Sequence, residues 1–519
     1  MAHSIFSRKS IADCEADVTH GTGLKRSLTK WHLTALGVGA TIGAGIFATT
    51  GTAIVGDAAR PGAGPAIIFS FLLTAVACGF AALCYAEFAA MVPIAGSAYT
   101  YSYAALGEFV AWIIGWDLIV EYAVGNIGVA IGWSGHFREL ISHLGLSMPA
   151  WLSTDYRSAH DAFNAVAAGA TDATTQFLAS AWTGAPHLGS LPLIVNLPAA
   201  LVVFTMTIIL VRGVRESANF NNAMVILKVG IILFFIAVGT FLINPSNWTN
   251  PVDGGFAPNG FAGVSAAAAI IFFAYIGFDA VSTAAEEAEN PARDMPFGII
   301  MSLIICTVLY IVLSAVLTGM APWKQLGTPE PMITALQFAN GPPVLLNAAR
   351  FIIALGAVIA MGSVLLVFQM GQPRIFFSMA RDGLLPPFMA KVHPRFRTPW
   401  VGTIITGTFV ATFAAFANIA EVVDLTNIGT LFAFVLVSIG VIILRIREPD
   451  RPRPFRVPGA PFTPLISVAA CLYLMMQLPR VTWIRFGIWL AVGLVVYFLY
   501  GYRHSVLRTG RRVVADKLP

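Results

Sequence analysis

The sequence predicts an all-α membrane protein, a single helical domain that crosses the bilayer about twelve times. Of 519 residues, 57% are hydrophobic and only 11% charged, against about 25% charged in soluble domains. Mean hydropathy is +0.77. Apolar runs of roughly 20 residues, the length a helix needs to cross a hydrocarbon core of about 30 Å, recur from Trp31 to Tyr502 with no soluble block between them.

Taken in order, residues 1–30 are polar and of mixed charge, as expected of a segment outside the membrane and not of a cleaved signal peptide. The membrane domain is expected over 31–503, with spans at 32–54, 65–91, 98–133, 190–211 and 216–243, then 262–288, 297–320, 343–371, 399–417 and 422–444, and finally 462–479 and 486–503. Residues 504–519 read as a tail. Two connections are long enough for structure of their own. Leu144–Gly189, rich in Ala, Ser, Thr and Asp, predicts one or two short surface helices, and "APWKQLGTPEPMITALQFANGPP" predicts one between Pro331 and Ala339.

Charge sets the orientation. Of 31 Lys and Arg, 23 fall in the termini and in the connections on their side, while the opposite connections hold Arg60, Arg138, Arg157, Lys324, Arg480 and Arg485. Short loops rich in Lys and Arg stay in the cytoplasm, so both termini are expected there, in a plasma membrane (the inner membrane in a Gram-negative cell). The same asymmetry accounts for the net charge of +5 without a nucleic-acid partner. Cys14, Cys78, Cys84, Cys306 and Cys471 lack metal-ligand spacing and imply no disulfide framework.

Two spans are interrupted. The first contains "GVGATIGAGIF", and an interior glycine costs a helix about 1 kcal/mol relative to alanine. One reading is close helix packing, since Gly39 and Gly43 form a G-x-x-x-G pair. The other is a break that frees backbone donors, tolerated at membrane depth only where protein or water surrounds it, and suited to a carboxylate. A dinucleotide loop is excluded because no strand precedes the glycines. The sixth span repeats the pattern in "AYIGFDA", with Gly277 and Asp279 in mid-segment. Interrupted segments at matching places in two halves point to inverted repeats, here five plus five. Asp279 reads either as a functional carboxylate or as the cap of the lower half-helix; a break leaves the carbonyls of Phe273, Ala274 and Ile276 free to accept an ammonium group.

Lys228 lies thirteen residues beyond Arg215, roughly 20 Å along the helix, too deep to snorkel to the interface. It reads as a proton-coupling amine or as half of a permanent ion pair. Asp117 and Glu121 share a face of the third span; Glu121, beside Tyr122, is a candidate for substrate contact or proton transfer, and Asp117 a packing partner. Glu87, near the end of the second span, reads as a gate or cap. Ser363 in the eighth span either faces Lys228 or bonds its own helix.

The stretches "GLKRSLTKWHLTALGVGATIGAGIFATTG", "CYAEFAAMVPIAGSAYTYSYAALGEFVAWIIGWDLIVEYAVG", "NNAMVILKVGIILFF", "FFAYIGFDAVSTAAEEAENPARDMPFGI" and "MGQPRIFFSMARDGLLP" together resemble the amino acid–polyamine–organocation permeases, within them the bacterial branch similar to the cationic amino acid transporters. The resemblance implies the leucine-transporter fold. It places the substrate carboxylate at Ile42, Gly43, Ala44 and Gly45, the amine at the carbonyls of Phe273, Ala274 and Ile276, and Lys228 where sodium-driven relatives hold an ion, with Ser363 bordering it. The long segment 144–189 departs from the family's usual form.

The sequence thus predicts a secondary transporter importing an amino acid with a proton by alternating access, with Gly277 and Asp279 at the helix break and no cofactor. A proton-independent exchanger is the alternative, and an amino-acid sensor or channel a reading of another class. No nucleophile–base pair, metal cluster or phosphate loop suggests an enzyme. Glu121 would suit a cationic side chain, whereas Phe368 and Met370 in "LLVFQMGQPR" would crowd a long one, which favours small neutral amino acids. A small membrane subunit is left open.

Overall fold

The first helix, α1 (Lys30–Thr41), starts at Thr29, which forms a capping box with His32. The computed structural model describes residues 5, 7–8, 27–57, 59–91, 97–170, 173–189, 191–213 and 218–510; Cys14, Arg215 and 511–519 lie outside these. After α1 the chain leaves helical geometry at Ile42 (ψ 99°), resumes in a wide π turn over Gly45–Thr49 and continues as α2 (Thr50–Val55). A two-residue hairpin, β1 (Gly56–Asp57) on β2 (Arg60–Pro61), leads to α3 (Ile67–Met91).

The third segment differs from expectation. The run 98–133 is two helices, α4 (Ser97–Ala105) and α5 (Glu108–Ile119), because Gly107 sits at φ 102°, outside the helical region. The crossing helix begins only at Glu108, passes a π turn at Val120–Val124 and ends as α6 (Gly125–His143). The connection 144–189 forms two helices, α7 (Tyr156–Ala167) and α8 (Ala173–Gly184), which pack on each other. The fourth apolar run also starts later than expected: β3 (His187–Leu188) pairs with β4 (Leu191–Pro192), and α9 (Leu197–Arg212) begins where Asn196 accepts from the Ala199 N–H at 3.3 Å.

Helix α10 (Ala218–Thr240) follows, then α11 (Gly260–Ile271), which tightens to a 3₁₀ turn at Phe272–Ala274; a second 3₁₀ stretch, Phe278–Glu287, forms the lower half. Next come α12 (Pro291–Met320), the expected short helix α13 (Pro331–Phe338), the long α14 (Pro343–Arg381), α15 (Trp400–Phe416), α16 (Ile419–Arg447), α17 (Phe462–Met476) and α18 (Arg480–Val496). Among the described residues nine helical segments are long and apolar enough to cross a membrane, and α9, α15 and α17 are shorter apolar helices.

Burial separates core from periphery. In Lys30–Val55, Glu108–His143 and Gly260–Ser282, 89% of the apolar window is buried within the protein, whereas in Arg480–Thr509 only 22% is. The interrupted segments are therefore enclosed by other helices, and the final helix presents its apolar surface outward, where lipid is the compatible solvent. Both chain ends meet on one face. The carbonyls of Ile5 and Ser7 accept from Phe109 and Glu108 N–H at 3.1 and 3.0 Å, and the Ser505 hydroxyl donates to Glu108. On that face Leu28 pairs with Ala288, joining the start of α1 to the end of the lower half-helix.

Glu87 acts there as a fixed latch. Its fully buried carboxylate accepts from Arg445 Nε at 2.9 Å and from the Val457 N–H at 2.7 Å, tying α3 to α16 and to the chain beyond it. Replacing Glu87 by Ala strands a half-buried guanidinium and a backbone donor, and we expect a loss of about 3 kcal/mol, read as a lower unfolding temperature of the detergent-solubilised protein; an unchanged temperature would show that the latch is idle.

Candidate functional site

The two breaks interlock. A Cβ on Gly45 would lie 2.2 Å from the Cα of Ala274, and one on Gly277 would lie 2.7 Å from the carbonyl carbon of Ala40. Gly277 also has φ 123°, a conformation that L side chains rarely adopt. Each interruption is thus packed directly on the other's backbone, a distance only glycine permits. Gly37 is a packing glycine too, with Ser302 Oγ 2.5 Å from its would-be Cβ, whereas Gly43 is less confined, 3.1 Å from Val364. Gly43 and Gly45, paired as one kind in the sequence, therefore differ: Gly45 is fixed by close packing and Gly43 faces the α14 side chain of Val364.

At the start of the second half-helix the first backbone bond is Phe47 N–H to the Gly43 carbonyl at 3.2 Å, so the amides of Gly43, Ala44 and Gly45 stand at its open end. The carbonyls closing α1 are taken up from outside. Lys228 Nζ, from α10, donates to Gly39 O at 2.5 Å, and the Tyr310 hydroxyl, from α12, to Thr41 O at 3.1 Å. Lys228 is 1% exposed. A cation on the last carbonyls of a helix is favoured by the helix dipole, and in a membrane these oxygens have no water to turn to.

The second break is closed in the same way from the other half. Asn427 of α16 donates to Ala269 O at 2.7 Å and to Ile270 O at 3.2 Å, where α11 ends. No bond from outside the two half-helices reaches the carbonyls of Phe273, Ala274 or Ile276 among the described residues. Asp279, fully buried, accepts from the N–H of Gly277, the residue just before the lower half, at 3.3 Å.

The space at the breaks is walled by α6, α14 and α16. Gly128 faces Phe273 and Val422, Gly132 faces Ala44 and Met361, and Gly125 faces Thr426 and Phe368. The ring of Phe368 lies 5.7 Å from that of Tyr122. Met370, expected beside Phe368, is on another face of α14, where its sulfur accepts from Arg374 Nη2 at 3.3 Å; Met361 and Val364, earlier on the buried face, take its place. The Ser363 hydroxyl donates to Ala360 O at 2.9 Å in its own helix and makes no bond to Lys228 among the described residues.

Glu121, 3% exposed, lies in the π turn, a helical irregularity frequent at functional sites. Asp117 approaches α16, with Oδ1 2.9 Å from where a Cβ of Gly429 would stand.

Away from the chain ends, a cavity of about 170 Å³ opens above the breaks, lined by Thr49, Thr52, Ile270, Val423, Arg60 and Asp424, with Thr174 and Leu178 of α8 at its side. Arg60 bonds Asp424 Oδ1 at 2.8 Å and Asp57 Oδ2 at 2.6 Å. The segment 144–189 is fastened over this rim: Arg157 pairs with Glu421, and Asn418 Nδ2 donates to Ser158 Oγ at 3.0 Å. Sequence reasoning missed Tyr310, Asn427 and the Arg60–Asp424 pair. Asn427, a side-chain amide in an apolar run, was the one visible signal.

A family model described as amino acid permease matches residues 28–499. The chain is 45% identical to the branched-chain amino acid permease BcaP of Bacillus subtilis over 508 residues, covering 98% of this chain and 100% of the relative. It is also 45% identical to the methylthioribose transporter of Bacillus subtilis over 505 residues, 97% and 99% covered. A vacuolar cationic amino acid transporter 2 of Arabidopsis thaliana is 38% identical over 448 residues, 86% of this chain and 64% of the relative.

The glycine geometry separates two substitutions of equal size. Gly45→Ala drives a methyl into the backbone at Ala274 and is expected to abolish amino-acid binding, whereas Gly43→Ala meets only the Val364 side chain and is expected to retain it. Ligand-induced thermal shift of the two variants measures this, and equal behaviour would contradict the interlock.

Proposed function

Because the chain belongs to the amino acid permease family, we propose that it is a secondary transporter that imports a neutral amino acid together with a proton by alternating access. The observation that carries the proton is the Lys228 ammonium seated on Gly39 O at the end of the broken α1. Burial makes the charged form of an amine costly unless it is paired, so this amine holds its proton while the carbonyl is in place. Deprotonation takes away the charge that strengthens this bond and loosens the hold of α10 on α1. Proton occupancy and the position of the half-helix are thereby linked.

The substrate is placed between the breaks, its carboxylate at the amides of Ile42, Gly43, Ala44 and Gly45 and its amine at the carbonyls of Phe273, Ala274 and Ile276. The apolar surroundings of Phe273, Val364, Phe368 and Val422 favour a neutral side chain, in line with a relative named for branched-chain amino acids. The fold is read as the leucine-transporter type with about twelve spans and five-plus-five inverted repeats. Support comes from the pairing of caps: the fifth span of the first half closes the break in the first through Lys228, as the fifth span of the second half closes the break in the sixth through Asn427. The shared face of the chain ends supports placing both termini in the cytoplasm, in the plasma membrane.

The test is uptake into proteoliposomes. With an inward proton gradient, uptake by the unmutated protein is expected to rise, and in Lys228→Ala it is expected to lose that dependence while counterflow of labelled substrate continues. Gradient-independent uptake by the unmutated protein would instead mean an exchanger, and absence of counterflow a sensor. A thermal-shift screen of the amino acids and methylthioribose fixes the substrate, since a ligand stabilises the state it binds; leucine, isoleucine or valine is expected to give the largest shift, and a larger one from arginine, lysine or methylthioribose would overturn the neutral amino acid.

A further inference from the structure

We propose that the corner where α9 and α14 end and α15 begins binds the phosphodiester headgroup of an anionic phospholipid, held by Arg212, Arg374, Arg395 and Arg397. This corner is on the face where the chain ends meet, since the Val506 N–H donates to Asp382 O, just past α14, at 3.0 Å. The start of α15 touches both other helices there. Thr398 Oγ1 donates to Val211 O at 2.9 Å, and a Cβ on Gly402 would lie 3.4 Å from the Cβ of Pro373. Arg212, Arg397 and Arg374 each adjoin one of these contact residues. Arg395 precedes Phe396, whose carbonyl oxygen is 3.6 Å from where a Cβ of Gly213 would stand. All four arginines are exposed.

None of the four has a carboxylate partner among the described residues. Elsewhere on the same face arginines are paired: Arg445 with Glu87, and Arg451 and Arg8 with Glu448 at 2.8 and 3.1 Å. The corner offers no such partner. Asp382 is the one acidic residue between Pro343 and Ala420, and it is buried, accepting from the Tyr99 hydroxyl at 2.8 Å; α9 has no acidic residue at all. Arg374 reaches only the Met370 sulfur, and the Arg395 guanidinium lies 5.6 Å from the centre of the Phe396 ring, contacts that leave both charges uncancelled. Like charges on three meeting elements repel. A phosphate, whose oxygens match the planar fork of a guanidinium, ties them together instead.

The turn that carries two of the arginines is fixed. His393 Nδ1 accepts from the Arg395 and Phe396 N–H groups, both at 3.2 Å, and the Arg397 N–H donates to His393 O at 2.9 Å. Arg397 itself has φ 57°, a conformation uncommon for any residue but glycine. Apolar neighbours select a lipid over a free anion. Ile208 of α9, Ile404 and Ile405 of α15, and Phe388 and Val392 in the connection are 38–55% exposed, a surface for acyl chains directly beside the charge that anionic headgroups seek. Which leaflet this is rests on the cytoplasmic placement proposed above; the binding itself does not.

Native mass spectrometry of the full chain in detergent, titrated with dioctanoyl phosphatidylglycerol, reads the binding. The unmutated protein is expected to retain this lipid under conditions that strip dioctanoyl phosphatidylcholine. The triple variant Arg212→Gln, Arg395→Gln, Arg397→Gln is expected to bind it about 100-fold more weakly, each basic contact contributing roughly a factor of five. Arg451→Gln, which breaks an ion pair on the same face, is expected to bind as the unmutated protein does. Equal retention of phosphatidylcholine by the unmutated protein overturns the site without recourse to any variant. So does full affinity in the triple variant, or a loss in Arg451→Gln as large as in the triple variant. Displacement of the lipid by millimolar inorganic phosphate would assign the corner to a soluble anion and equally overturn the lipid.

Discussion

The contact of two broken helices at their breaks is what the remaining structure is arranged to permit. Gly45 rests on the backbone of Ala274 and Gly277 on that of Ala40, so neither interruption has the room to exist without the other. A helix interrupted in lipid exposes donors and acceptors that cost several kcal/mol each if left unmet. Here the segments that carry the interruptions are, with the third, the most enclosed of the described spans, ringed by α3, α6, α10, α12, α14 and α16.

Closing the breaks then becomes a matter of supplying partners from neighbouring helices. Lys228 and Tyr310 serve the end of α1, Asn427 the end of α11, and Asp279 the start of the lower half. The two sets differ chemically. Asn427 is permanently neutral, whereas Lys228 caps its break with an amine. The rim above the site is held by charge instead, with Arg60, Asp57, Asp424, Arg157 and Glu421 tying the helical hairpin of 144–189 and α2 to α16.

Much of this was legible in the chain. Lys228 and Asp279 stand out because ionisable groups in apolar runs are expensive, and "GVGATIGAGIF" and "AYIGFDA" mark both breaks because glycine weakens helices. The third segment was misread at its start since "YTYSYAALGEF" runs on from one apolar stretch to the next without a proline; only the backbone at Gly107 shows the chain turning there. Met370 was misassigned because hydropathy carries no information on which face of α14 meets the site. The bond from Asn427 to the end of α11 joins residues 158 positions apart, on helices distant in sequence.

The sequence by itself determined that the protein is a multi-pass helical membrane protein of the permease family, where its helices break, and which charges lie at membrane depth, because length, apolarity and glycine content act locally along the chain. Tertiary structure alone decided which glycine touches which backbone, which carbonyl receives Lys228, and which helix end Asn427 closes. Those are relations between helices, set by the packing of side chains distant in sequence, and no local pattern encodes the rotation of one helix against another.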